Sequence, residues 1–326
     1  MAKEELPRLD AAPELYTRLL PLCRLEAGGV WEDTENGHRV GVFDAADAGG
    51  LESLYRGERA VLGIHDPPYN IPVGGKSTKS LGTTTIEEYI DFSRRWIREA
   101  VSCLAGDGHF YLWTGADQKR GFQPLPELMM LLREFPELRS RSFITMRNQR
   151  GYGTQKNWMC VRQELLYYVK GDPPFSVRYT DIPKVLKGYY KSVGGKKTEN
   201  LERGRSATIR PGNVWIDIQQ VFYRMEENVP GAYAQKPLRA TERIIEASSA
   251  GGDLVADHFA HSGTTLLAAE RLGRRCVTCD VDPVFAEIAI RRLERYRSMG
   301  KTGWQWRTPF PELDDLGGLF ELEGGP

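Results

Sequence analysis

The sequence predicts an α/β protein, a doubly wound and mostly parallel sheet carrying a small insert. Three observations predict it. Short apolar runs such as Ala60-Val61-Leu62-Gly63-Ile64 end in polar or acidic turns. Between such runs lie stretches of helical spacing, of which Ile86, Tyr89, Ile90, Ile97, Ala100, Val101 and Leu104 form one apolar stripe. Over residues 253–280, an apolar strand, a Gly/Ser/Thr turn, a helix-like stretch, a second strand and an acid follow one another, the order of a βαβ unit.

The elements can be justified in chain order. Val40-Gly41-Val42-Phe43 reads as a strand that ends at Asp44, with Asp47 a competing acid. The run 60–64 is a buried strand, and Asp66-Pro67-Pro68-Tyr69-Asn70 follows it. Two prolines fix φ and withhold two donors, so this turn is stiff and rich in acceptors. A carboxylate, free carbonyls and a ring face suit a planar heterocycle bearing an exocyclic amine; a rigid surface turn is the ordinary alternative. Residues 71–85 are polar and glycine-rich. They read either as a disordered surface loop or as a flap that orders over a polyanion through Lys76 and Lys79. The stripe from Ile86 is core rather than chemistry. His109–Trp113 is a further strand, and the interval 141–170 holds two more, the second being Glu164–Val169.

Residues 171–212 interrupt the pattern. They hold nine basic residues (Arg178, Lys184, Lys187, Lys191, Lys196, Lys197, Arg203, Arg205 and Arg210) against four acids, in a chain whose formal net charge is zero. Tyr179, Tyr189 and Tyr190 interleave with them, periodicity is poor, and Gly194-Gly195 reads as a flexible point. Regional asymmetry of this kind is an electrostatic footprint for a polyanion, although a solvated charged loop has the same composition. The tail beyond Arg307 has five acids and no base.

The last unit runs through Asp257-His258-Phe259-Ala260-His261-Ser262-Gly263-Thr264-Thr265, then the helix 266–272, then Arg275–Cys279 and Asp280. The turn's amides can face a ligand, and the acid ending the second strand can hold ribose hydroxyls. The turn has one glycine and no Gly-x-Gly-x-x-Gly, so a nucleoside without phosphates fits better than a dinucleotide.

Together the two motifs resemble the amino-group DNA methyltransferases. Asp66-Pro67-Pro68-Tyr69 is similar to the family's Asp-Pro-Pro-Tyr catalytic motif. Residues 257–265 are similar to its Asp-Pro-Phe-Ala-Gly-Ser-Gly-Thr-Thr cofactor motif, with His258 at the proline and His261 at a glycine. Gln235-Lys236-Pro237 with Glu242-Arg243-Ile244-Ile245, and Asn213-Val214-Trp215, also match recurrent family segments. The catalytic motif comes first, as in the β group, and the resemblance spans roughly residues 40–295.

The resemblance implies S-adenosyl-L-methionine as cofactor, double-stranded DNA as partner and a flipped target base. It makes Asp66 and the Pro67 carbonyl acceptors for the target amine, with Pro68 stiffening the turn and Tyr69 stacking on the base. Asp44, Lys236, Asp257, Phe259, Ser262, Gly263, Thr264 and Asp280 become cofactor residues, Lys236 toward the carboxylate and Asp280 toward the ribose. Asn70, Lys76, Lys79, Lys184, Lys187, Lys191, Lys196, Lys197, Arg203 and Arg205 become DNA contacts. Asp at the first motif position favours adenine N6 over cytosine N4. An RNA methyltransferase and a non-catalytic DNA-binding protein are more distant alternatives. The implied divisions are an N-terminal extension (1–27), a catalytic-motif half (28–170), a basic target-recognition insert (171–212), a cofactor-motif half (213–299) and an acidic tail (300–326).

Composition agrees. A chain of 326 residues with 40% hydrophobic and 27% charged residues can bury a full core. No apolar run is long enough to cross a membrane, Met1-Ala2-Lys3-Glu4-Glu5 is no signal peptide, and five scattered cysteines suit a reducing cytoplasm. Cys276 and Cys279 fall inside a predicted buried strand, so neither metal nor redox work is expected of them. The two histidine departures read as neutral variation in a tolerant turn, and they do not make a metal site. Residues 1–27 and 300–326 either pack on the core or join a homodimer. A cognate restriction endonuclease acting on the same site is a further expected partner.

Overall fold

Strands run through this chain in the order β1 (Val30–Glu32), β2 (Arg39–Val42), β3 (Ala60–His65), β4 (Leu104–Thr114), β5 (Leu138–Tyr152), β6 (Cys160–Lys170), β7 (Tyr190–Val193), β8 (Lys196–Glu199), β9 (Val214–Trp215), β10 (Leu254–Asp257) and β11 (Arg275–Asp280). The α-helices among the described residues are α1 (Pro13–Leu19), α2 (Ala48–Tyr55), α3 (Ile86–Ser102), α4 (Leu125–Leu131), α5 (Leu238–Ser248), α6 (Thr264–Arg271) and α7 (Pro283–Met299). The computed structural model describes residues 13–70, 84–115, 124–152, 156, 158–184, 190–199, 206–305 and 307–312.

Nine of the described strands form one sheet, ordered β1-β2-β11-β10-β3-β4-β6-β5-β9. Its centre, β2-β11-β10-β3-β4, is parallel. Strands β6 and β5 extend it antiparallel from β4, and β1 pairs antiparallel with β2 at the opposite edge. Both faces of the parallel centre are covered, which is why its strands read as unbroken apolar runs. One face packs Val42, Leu62, Ile64, Val255 and Cys276 against α5, α6 and α7. On the other, Phe110 and Leu112 meet α3 and α4, while Ala256, Val277 and Cys279 meet α2.

The strands foreseen at 40–43, 60–64, 109–113, 164–169 and 275–279 are all present within a few residues. Helix α3 starts where Thr85 accepts from the Glu88 amide and the Glu88 carboxylate accepts from the Thr85 amide, a reciprocal capping box. Leu104, read as the end of the helical stripe, instead opens β4. Its side chain stays in the α3 core, so the apolar spacing ran past the helix end.

Gly194-Gly195, read as a flexible point, falls between two paired strands. It is a two-residue hairpin turn joining β7 to β8, with φ of +58° and +76° and Val193 opposite Lys196. The hairpin escaped notice because its short strands, Tyr-Lys-Ser-Val and Lys-Lys-Thr-Glu, carry no period-two apolar signal. Leu19 near one end and Trp304 and Phe310 near the other pack on Val284, Phe285 and Ile288 of α7, so the described parts of both termini serve the core. No helix among the described residues is long and apolar enough to cross a membrane.

Candidate active site

Strands β3 and β10 are neighbours, with Val255 beside Leu62 and Ala256 beside Gly63. From β3 the chain goes through α3 to β4 on one side, while β10 leads through α6 to β11 on the other. This is a topological switch point, where loops at the carboxyl ends of two strands part and leave a crevice. The Asp66 turn and the 257–265 turn therefore lie side by side.

On the first turn, Asp66 is partly exposed, with 21% of its side chain open. The Tyr69 hydroxyl donates to Asp66 Oδ1 at 2.5 Å. Burial and the Asp66 charge push the Tyr69 phenol well above its usual range, so it stays a donor. Asn70, expected on DNA, is buried at φ +53°. Its side chain donates to the Thr84 carbonyl and accepts from the Thr84 amide, so it pins together the two ends of segment 71–83.

The second turn is built around two carboxylates. Asp257 accepts from the Phe259 amide at 3.0 Å and from Thr265 Oγ1 at 2.6 Å. Asp280 accepts from the amides of His261 and Asp282 at 2.8 and 3.0 Å. Burial raises both acids, Asp257 to about 8 and Asp280 to about 7; hydrogen bonds oppose the rise, while neighbouring carboxylates reinforce it. Gly263 turns the chain into α6 at φ +71°, and a Cβ there would lie 2.7 Å from the Ala289 Cα, so glycine is required twice over.

The two histidine departures make contacts of their own. His258 replaces a proline, and its backbone N–H donates to His65 Nδ1 at 3.2 Å, a bond proline cannot make. Its ring pairs with the Tyr55 hydroxyl at 2.8 Å. Burial holds the imidazoles of His65 and His258 well below their ordinary range, the latter at about 3, so both are neutral structural groups. His261 occupies the left-handed region at φ +43°, and its ring packs 4.8 Å from that of Phe285. That contact accompanies a backbone conformation glycine would enter freely.

Lys236 joins the two turns. Gln235 anchors its loop by donating to the Glu227 carbonyl at 2.7 Å and accepting from the Val229 amide at 3.0 Å. The Lys236 carbonyl lies 3.5 Å from Thr264 Oγ1, while its ammonium donates to Asp66 Oδ2 at 2.7 Å. The ammonium also sits over the rings of Tyr69 and Trp113, at 4.9 and 5.5 Å. Phe259 meets Trp96 of α3 edge-on at 5.1 Å, within the wall behind both turns. Asp44 follows β2 and is exposed, accepting from the Ala46 amide, whereas its competitor Asp47 caps α2.

Sequence reasoning missed Arg292. This fully buried α7 residue donates to the carbonyls of Thr302, Ser262 and Glu227 and to Thr264 Oγ1, at 2.6–3.1 Å. It holds the underside of the second turn and the Gln235 anchor together. A single arginine among many on a charged helix gives no signal of this in sequence. Thr265 was legible as part of the motif but not as the donor to Asp257.

The basic insert rises from a stem docked along α5. Ser176 bonds Ala247, Arg178 bonds the Glu246 carbonyl, and Asp181 pairs with Arg239 near the helix start. The return strand pairs Thr180 with Ile209 and Lys184 with Ala207. The stem thus climbs toward the crevice end of α5, next to Lys236. Lys184 lies at its top, Lys191 lies on β7, and Lys196 and Lys197 are exposed on β8. Lys76, Lys79, Lys187, Arg203 and Arg205 lie outside the described residues. No cluster of three or more metal-ligating side chains occurs among the described residues.

The donor set fits S-adenosylmethionine. The acids at 66, 257 and 280 stand at or just beyond the carboxyl ends of the neighbouring strands β3, β10 and β11, and the Lys236 ammonium lies beside Asp66, where it can meet a carboxylate. Comparison with known proteins agrees. Residues 62–291 match a family model described as DNA methylase, of the N6/N4 type. The type II methyltransferase M2.DpnII of Streptococcus pneumoniae is 48% identical over 250 residues, covering 70% of this chain and 80% of the relative. The DNA adenine methyltransferase YhdJ of Escherichia coli (strain K12) is 29% identical over 240 residues, covering 70% of this chain and 74% of its own. Among solved structures, the putative DNA modification methylase TTHA0409 of Thermus thermophilus, complexed with S-adenosyl-L-methionine, aligns with a TM-score of 0.53 and 22% identity. That alignment covers 82% of this chain and 98% of the other, and it shows a shared fold.

Proposed function

This chain belongs to the N6/N4 DNA methylase family, and we propose that it methylates the N6 amine of an adenine extruded from duplex DNA into the crevice between the two turns. It is a site-specific, S-adenosylmethionine-dependent DNA methyltransferase. The observation that carries the residue assignment is the adjacency of β3 and β10, which sets Asp66 beside the cofactor turn.

S-adenosylmethionine, when bound, supplies an activated methyl group on a sulfonium. The chain's residues do the rest by position. Asp66 and the Pro67 carbonyl accept the two amine hydrogens, which favours a pyramidal nitrogen with an available lone pair. Tyr69 fixes Asp66 and offers its ring to the base. Holding nitrogen, methyl and sulfur in line supplies much of the rate. Asp257 holds the second turn through Phe259 and Thr265, Ser262 and Thr264 line it, and Asp280 faces the ribose. Lys196 and Lys197, exposed on β8, together with Lys191 of β7 and Lys184 of the stem, are suited to phosphates. The type II names among the relatives support a partnership with an endonuclease of the same specificity.

Single-molecule sequencing of DNA from cells expressing the chain tests the proposal. N6-methyladenine in one sequence context is expected; N4-methylcytosine in its place would overturn the choice of base.

The raised acids give a pH dependence. A cation bound near Asp257 and Asp280 favours their ionised forms, so it lowers their pKa and expels protons. Affinity for the sulfonium should therefore rise with pH up to about 7–8 and level off above. The sulfonium lowers the pKa of the donor's own amino group relative to that of S-adenosylhomocysteine, so each affinity is corrected for the free ligand's amino titration before the two are divided. Calorimetric titration from pH 6 to 9 should show this ratio increasing; a flat or falling ratio contradicts the assigned acids.

A further inference from the structure

We propose that Lys236 is a cofactor-operated latch on Asp66, coupling occupancy of the donor site to recognition of the acceptor amine. The inference rests on the reading of Asp66 as the amine acceptor. Lys236 is 6% exposed and its backbone is fixed, because Gln235 is bonded on one side and the α5 amide of Leu238 is capped by Glu227 at 2.8 Å on the other. Ala234, two residues earlier, is held at φ +58° to make the bend. The Lys236 side chain is a flexible stem with one charged head, and that head lies on Asp66 Oδ2.

Charge, rather than room, makes this contact inhibitory. Each Asp66 oxygen holds one protein donor, Tyr69 on Oδ1 and Lys236 on Oδ2, and keeps a lone pair for the amine. However, an ammonium 2.7 Å away neutralises the carboxylate, and an amine hydrogen bonds a neutralised carboxylate more weakly. The acceptor nitrogen becomes cationic as it takes the methyl group, so a second ammonium on the same carboxylate opposes the step. Lys236 must leave Asp66 before transfer.

The cofactor offers it another anion. Lys236 links to both turns, through its carbonyl near Thr264 and its ammonium on Asp66. A carboxylate bound beside the second turn can draw the head away by rotation of the stem alone, with the backbone in place. The Tyr69 and Trp113 faces keep the ammonium stabilised near the start of that swing. Donor binding thereby exposes the charge of Asp66 to the amine, and binding of donor before acceptor amine follows from it.

The test measures binding, not turnover. Duplexes carrying the protein's own recognition site, with adenine or with purine lacking the amine at the target position, are titrated by fluorescence anisotropy. Each titration is run with no ligand, with S-adenosylhomocysteine, and with 5′-methylthioadenosine, which keeps the nucleoside and thioether but has no carboxylate. In the wild type, preference for adenine over purine should be near unity without ligand and with methylthioadenosine, and about tenfold with S-adenosylhomocysteine. In Lys236→Met, and in Lys236→Gln as a second, polar replacement, the preference should be the same in all three states. A wild-type preference of about tenfold in all three states overturns the latch but leaves Asp66 as amine acceptor, whereas a preference near unity in all three overturns both. A preference that survives unchanged in Asp66→Asn overturns the reading of Asp66 on which the latch depends.

Discussion

Asp66→Asn should lose about 10²–10⁴-fold in methyl transfer while cofactor affinity changes by only a few fold. Asparagine keeps the shape of the side chain and one acceptor oxygen, so the turn can persist. What it loses is the negative charge that faces an amine on its way to becoming a cation. It also presents N–H donors where the Tyr69 hydroxyl and the Lys236 ammonium already donate. Alanine is a poorer probe, because it would strand the buried Lys236 ammonium without its carboxylate, at a cost of roughly 3 kcal/mol or more in stability. Single-turnover methyl transfer and isothermal titration with S-adenosylhomocysteine, measured on the same preparation, separate the two effects. Transfer by Asp66→Asn within about threefold of the wild type would remove Asp66 from the chemistry.

Arg292→Leu should have the largest effect on stability away from the reacting atoms. Its guanidinium is buried, and burial depresses its pKa to about 10, so it remains charged at neutral pH. It satisfies three carbonyls and one hydroxyl that belong to different segments: residues 227, 262, 264 and 302. Leucine fills much of the volume but takes this donor away from the Ser262 and Thr302 carbonyls and leaves Glu227 and Thr264 with their other partners alone, at about 3 kcal/mol in total and roughly 4 °C in melting temperature for a chain of this size. Because Ser262 and Thr264 belong to the second turn, cofactor affinity should fall by more than about tenfold as well. Arg292→Lys restores a cation but cannot span four acceptors, so it should recover only part of either loss. Differential scanning calorimetry with and without S-adenosylhomocysteine checks both. A Leu variant that melts with the wild type and binds as tightly would show that the turn stands without this support.

Much of the site was legible because its chemistry is local. Asp66, two prolines and a tyrosine are consecutive, and the acids at 257 and 280 each end a strand. Backbone requirements were legible too: Gly263 occupies the left-handed region, and His261 enters that region where a glycine was expected. The polar groups supporting these turns were not. His65, Tyr55 and Arg292 act through bonds to residues 193, 203 and 10–65 positions away, and an isolated histidine, tyrosine or arginine looks the same in sequence whether it is buried or solvated. The β7–β8 hairpin was hidden for a different reason, since its four-residue strands do not alternate apolar and polar residues and so have no periodicity to read.

The chain alone determined which residues can do chemistry and which strands end in them, because side-chain type and strand-forming runs are properties of neighbours along the backbone. Only the folded sheet decided that β3 lies against β10, that the lysine at 236 rests on the carboxylate at 66, and that one arginine ties the second turn to the segments behind it. Those pairings follow from hydrogen-bonded strand order and from the burial of charges, both of which join segments that the chain itself keeps far apart.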